Sequence, residues 1–331
     1  MEEEEIGSHP YLVLLASRIP NIEHLDLILG EEGLEYLEPL FTQCSKDVMI
    51  EQPYLKNLKS VEIRDTMHTE SDMINLDAVM ELPQLENFTL VYLNGEAEGC
   101  PLFDFEPGTL NISNLDLSEA CLEAKTLTRI VAGCKELKVF TYLGHNFDGS
   151  NIVESAQFDP SELITILASQ HKNIRTLRFN LDWAEIEPIS WNRCSKYGSF
   201  APFKKLTHLE IDQYPYTPQQ ELPRTIHCLH IKNISFPIFD AVGSLNMRTI
   251  DLPEYDLHDE LPNFSILNLV PRDDTPNGML EVPASYDYSD DDPKALGEFD
   301  FACETLWDIA KECRFYVGVE HEVWARFRGY Y

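Results

Sequence analysis

The chain has 331 residues, 44% of them hydrophobic, and carries 57 acidic against 25 basic side chains for a formal charge of -32. No apolar run approaches the roughly 20 residues of a membrane helix, and charge of this sign repels the phosphates of nucleic acids and anionic membranes, so neither is an expected partner. A protein with a basic surface is what such a field would steer in.

Residues 1–20 are expected to form an acidic tail and an N-terminal cap. The run Met1–Glu5 is charged where a secretory signal would be basic and then apolar, and Pro10–Ala16 is an apolar segment able to cover an open end. Three aliphatic residues spaced L-x-x-L-x-L follow: Ile22, Leu25 and Leu27. Gly30 and Gly33 then let the chain turn, and Leu34, Leu37, Leu40 and Phe41 lie at helical spacing.

The same frame returns nine times. Its copies are Leu58-Val61-Ile63, Leu85-Phe88-Leu90, Ile112-Leu115-Leu117, Leu137-Phe140-Tyr142, Ile174-Leu177-Phe179, Leu206-Leu209-Ile211, Ile226-Leu229-Ile231, Met247-Ile250-Leu252 and Phe264-Leu267-Leu269. Between them, Met73–Met80 reads as a weak helix and residues 94–109, with three Gly and two Pro, as a loop. Leu122, Leu127, Ile130 and Val131 predict a helix closed by a left-handed cap at Gly133. Asp159, Pro160 and Glu162 supply an N-cap acceptor, a first-turn proline and a capping-box glutamate, and Leu163, Ile166 and Leu167 then face inward. An insertion with Trp183 and Trp191 either anchors a partner or packs beneath its loop. From the eighth frame on, intervals shorten and prolines multiply, so extended or 3₁₀ connections are expected.

Residues 271–298 break the rhythm as an acidic surface excursion. Asp287 and Asp290–Asp292 lack the glycine and distal glutamate of an EF-hand, which makes them a solvated loop. Residues 299–331 offer a closing helix, with Leu306, Ile309, Ala310 and Cys313 on one face, and a strand with Phe315, Val317 and Val319.

One cycle is thus a strand, a turn, a helix or loop, and a return to a parallel strand. It cannot bury its own apolar ridge, so cycles must stack. The expected fold class is α/β: an irregular leucine-rich repeat solenoid over residues 21–270, with a curved parallel sheet on its concave side and helices and loops on its convex side. The eight cysteines show no C-x-x-C pair, which suits a reducing intracellular compartment, cytoplasmic or nuclear. The sequons at Asn87, Asn111, Asn233 and Asn263 fall in or beside frames.

The irregular frames, the LP-x-x-x-x-x-L-x-I form at Leu222–Ile231 and the closing CETLWDIAKECRFYVGVE together resemble the leucine-rich repeat region of fungal F-box-type proteins. The resemblance implies repeats that hold a substrate protein while a compact helical F-box docks ubiquitin-ligase components. About 20 residues precede the first frame, too few for such an adaptor, so the F-box is expected upstream in a longer form or on another chain.

Along a strand, side chains alternate between faces. The position between the second and third frame residues therefore lines the concave side, and it reads Asp26, Glu62, Thr89, Asp116, Thr141, Arg178, Glu210, His230, Asp251 and Asn268. Of these, Asp26, Glu62, Asp116, Arg178, Glu210, His230 and Asp251 are the candidate partner-binding residues. The alternative is a solvated face whose charges pair across strands. His208, Glu210, Cys228 and His230 have ligand types that suit zinc but no fixed local spacing, so a hydrogen-bonded cluster is expected there and no metal. No nucleophile elbow, P-loop, dinucleotide fingerprint or H-E-x-x-H is found. The expected function is non-enzymatic protein binding without a cofactor. A free-standing scaffold or inhibitor with no ligase link, and a hydrolase with a loop-built site, are the alternatives.

Overall fold

The structure is a computed structural model that describes residues 19, 21–29, 41, 55–65, 76–94, 103, 105–144, 159–181, 196–212, 221–234, 266–271 and 316–319. The chain divides into two compact units, Met1–Phe158 with Thr165–Gln170, and Asp159–Ile164 with His171–Tyr331. The class is α/β, with parallel strands following one another in sequence order within each unit.

The first unit holds β1 (His24–Leu29), β2 (Ser60–Asp65), β3 (Asn87–Asn94), β4 (Asn114–Cys121) and β5 (Val139–Gly144). Each pairs in parallel with the next. Register turns the sequence frames into continuous rows: Leu25, Val61, Phe88, Leu115 and Phe140 in one, Leu27, Ile63, Leu90, Leu117 and Tyr142 in the next. All but Leu25 are buried. Leu58, Leu85, Ile112 and Leu137, which enter each strand, are fully covered as well. No row could hide from water without its neighbours, so the frame specifies pairing and not merely strand.

Helix α1 (Leu76–Met80) lies between β2 and β3, and α2 (Ala124–Gly133) between β4 and β5. Helix α2 buries Leu127, Ile130 and Val131 as the spacing predicts. Leu122 lies ahead of the helix, buried, and its N–H donates to the Tyr142 hydroxyl at 3.2 Å. That hydroxyl also donates to the Ala120 carbonyl at 3.2 Å. Tyr142 thus holds the chain just past a bulge where register shifts between Leu117 and Ala120 and where Glu119 has φ +51°. A tyrosine fits this leucine position because its hydroxyl satisfies backbone groups the bulge leaves over.

Gly133 is not the left-handed cap expected of it. It is the last helical residue, and among the described glycines only Gly108 has positive φ. The absent side chain matters for closeness instead: a Cβ would sit 2.9 Å from the Phe105 Cβ and 3.1 Å from the Leu110 Cδ1. Gly133→Ala is expected to destabilise the unit, because overpacking beside a Cβ costs about 1–3 kcal/mol and outweighs the roughly 1 kcal/mol helix gain from alanine. Urea unfolding followed by circular dichroism measures the balance, and a stabilised variant would show that Phe105 yields freely.

The carbonyls at the end of α2 find another partner. Gln170, in the 3₁₀ turn Ala168–Gln170, is 3% exposed. Its amide nitrogen donates to Val131 O at 3.3 Å and to Cys134 O, while its oxygen accepts from Leu137 N at 3.1 Å. This distant side chain meets Cys134 O and fixes the entry to the next strand, while the N–H groups of Cys134, Gly108 and Leu110 donate to the Val131, Ala132 and Gly133 carbonyls.

The predicted helix start at Asp159 is present. The Asp159 side chain accepts from Ser161 N at 2.8 Å, and Glu162 reaches back to Asp159 N at 2.8 Å. A 3₁₀ turn at Pro160–Glu162 leads into α3 (Leu163–Ile166), and Leu163, Ile166 and Leu167 are buried.

The second unit holds β6 (Thr176–Asn180), β7 (His208–Asp212), β8 (Cys228–Ile234), β9 (Ile266–Pro271) and β10 (Tyr316–Val319), again parallel in order. Leu177, Leu209, Leu229, Leu267 and Val317 share one register row. The expected closing strand is β10. The stacking order needs one correction: β8 pairs directly with Ile266–Pro271, so the eighth frame is followed in the sheet by the tenth. The frame Met247-Ile250-Leu252 lies outside the described residues, as do Trp183, Trp191, the acidic run Asp290–Asp292 and the helix expected around Ile309. Among the described residues of 196–212 and 221–227 the connections are turns and extended chain without α-helix.

Candidate binding surface on the outer strand face

With the leucine rows inward, the alternate residues form rows on the opposite strand face. In the first unit, register aligns Asp26, Glu62, Thr89, Asp116 and Thr141. The sequence-predicted acidic residues Asp26, Glu62 and Asp116 are therefore brought together in one row, with adjacent strands about 4.8 Å apart. Asp26 is exposed, Glu62 and Asp116 are half-buried, and Thr141 is buried, so β5 contributes little accessible surface at this level.

The row is less bare than its acids suggest. The Arg64 side chain, two residues along β2 and on the same face, donates through Nε to the Glu62 carboxylate at 2.6 Å, and Nη2 pairs with the same oxygen. That bond, Glu62's charge and the more distant Asp26 hold the guanidinium's pKa above its ordinary value. Asp116 accepts from Ser118 Oγ at 2.6 Å. A level below, Asn114 donates to the Asn87 side chain, and Asn111 donates to Pro83 O at 2.9 Å, so two sequon asparagines have structural hydrogen bonds.

In the second unit, Arg178, Glu210, His230 and Asn268 align. Glu210 is the hub. One oxygen faces Arg178 Nε at 3.6 Å and the other pairs with Lys232 Nζ. His208 and Cys228 are register partners in the neighbouring row. His230 Nε2 lies 2.8 Å from Cys228 Sγ, and the His208 and His227 rings meet edge to face at 6.0 Å. Burial first, then the His227, His230 and Arg178 charges, push the His208 pKa down. Burial, then Glu210, pushes the Cys228 thiol up. Of His208, Glu210, Cys228 and His230, the last two share that nitrogen–sulfur contact, while Glu210 pairs with Arg178 and Lys232 and His208 Nδ1 lies 2.9 Å from Thr207 Oγ1. Asp251 lies outside the described residues.

Three participants were missed at the level of sequence. Arg64 and Lys232 each lie two positions beyond a candidate residue, and period-two alternation was the signal that could have found them. Asp212, fully buried at the end of β7, accepts from Leu181 N at 3.3 Å. Its charge, second to burial, raises the pKa of Tyr197, which packs edge-on to Phe179 with ring centroids 5.7 Å apart. No local pattern announces that pairing. No protein-family model matches the chain, and no curated protein matches it either.

Proposed function

We propose that both units are runs of leucine-rich repeat cycles, and that the chain is a non-enzymatic protein-binding module whose outer strand face is the concave recognition side. The register row of Asp26, Glu62 and Asp116 is the observation that carries this reading. Three carboxylates on three of four successive strands, answered among the described residues by the Arg64 guanidinium, leave net negative charge on an accessible face that an approaching basic segment can neutralise. A solvated face is charged too, but it has no reason to keep one sign along a row.

The specific form of the proposal is the substrate-recognition part of a ubiquitin ligase, intracellular, with an F-box supplied upstream or on another chain. It rests on the resemblance of Leu222–Ile231 and Cys303–Glu320 to fungal F-box-type proteins. Affinity purification from the native cell followed by mass spectrometry tests it. Ligase core subunits should accompany the chain, and their consistent absence would leave only the general binding role. Asp26→Lys, Glu62→Lys and Asp116→Lys combined should weaken the recovered partner by about 10-fold or more at low salt, with less effect at high salt. Unchanged affinity at low salt would remove the acidic row from the interface.

A further inference from the structure

The acid excess of the chain reverses along the strands of the second unit. Residues 171–234 hold nine Lys or Arg against six Asp or Glu, where the whole chain holds 25 against 57. The cations recur with the strands of the second unit. Four positions before the first residue of β6, β7 and β8 stand Lys172, Lys204 and Arg224, all exposed. One position before stand Arg175, Thr207 and His227, which the backbone sets side by side: Thr207 N donates to Arg175 O and His227 N to Thr207 O, both at 2.8 Å. Lys205 adds a further exposed charge. Among the described residues, no carboxylate forms an ion pair with Lys172, Arg175 or Lys205.

The corresponding edge of the first unit is built differently. The residues one position before its strands are Glu23, Lys59, Glu86, Ser113 and Lys138, linked by the same backbone pattern. They carry both signs, and Lys59 pairs with Glu23 at 3.0 Å, which lowers the Glu23 pKa. Four positions before its strands the first unit has cations at two of five places, Lys56 and Lys135, whereas β6, β7 and β8 have one at each of three successive places, and no carboxylate stands one position before them.

We propose that the strand-start edge of the second unit docks an acidic peptide segment of a protein partner, laid across β6, β7 and β8. Adjacent strands about 4.8 Å apart set successive cations at a spacing that an extended, carboxylate-rich chain can follow. The chain's charge of -32 selects a short acidic segment over nucleic acid. A long polyanion meets the repulsion of the whole molecule, whereas a short one answers to charges within a Debye length of about 8 Å. The site is separate from the acidic row of the first unit and stands or falls independently of it.

Fluorescence anisotropy with the full chain and a fluorescein-labelled poly-glutamate peptide tests the proposal. Wild type should bind saturably and more weakly as salt rises. Lys172→Glu, Lys204→Glu and Arg224→Glu combined should weaken binding by about 10-fold or more, while Lys56→Glu, Lys135→Glu and Lys138→Glu, an equal change of net charge in the first unit, should cost less than about 3-fold. The milder triple change to Gln at 172, 204 and 224 should give an intermediate loss with an unchanged circular dichroism spectrum. Absence of saturable binding, equal losses from the two Glu triples, or tighter binding of single-stranded DNA than of the peptide would each overturn it.

Discussion

Gln170→Leu is expected to lower the unfolding free energy by about 2–4 kcal/mol, although the substitution is apolar, similar in size and made in a buried place. The reason is what the amide leaves behind. Its oxygen holds Leu137 N, and its nitrogen holds Val131 O and Cys134 O. Val131 O keeps the Cys134 N–H at 3.3 Å, so Leu137 N and Cys134 O are the groups that lose these bonds; each costs about 1–3 kcal/mol, and the leucine side chain returns part of that through apolar burial. Gln170→Glu separates the contributions, since a carboxylate can still accept from Leu137 N but cannot donate to the two carbonyls. It should be nearly as damaging. Urea unfolding monitored by circular dichroism reads both variants, and a loss below about 1 kcal/mol for leucine would mean the helix end has other means of satisfaction.

Phe140→Ala should cost a similar amount, about 3–5 kcal/mol, by a different route. Phe140 is fully buried in the row it shares with Leu115 and Phe88. In a stack where each layer is covered only by its neighbours, a cavity cannot be filled by rearranging a distant part of the core. Phe140→Leu keeps most of the volume and should lose only about 1–2 kcal/mol. Equal losses from the two variants would indicate that the ring's shape, and not the space it fills, sets the stability.

Strand identity and pairing were legible because the frame is a consequence of packing. Leu115 and Leu117 face the same way along a strand, and only parallel neighbours with the same spacing can continue their rows. The same reasoning places Asp26, Glu62 and Asp116 on one line, as the register does. It failed where the short pattern outran its specificity: Met247-Ile250-Leu252 satisfies the frame, yet Cys228–Ile231 pairs directly with Ile266–Leu269. Gly133 was misread because close approach to Phe105 is a tertiary fact, while a left-handed cap is a local one. Gln170 was invisible for the same reason. Its partner at Leu137 lies 33 positions away, with no local spacing to announce it.

The unbroken succession of neighbouring strands within each unit has a kinetic consequence. Strands pair with the next one along the chain, and the widest such separation among the described residues is that between Ile266 and Tyr316. Among the described strands each pairing closes the connection to the next strand along the chain, and the entropy of that closure grows only slowly with the connection's length. Within each unit, a strand added to an existing pair finds a parallel edge already in place as its template.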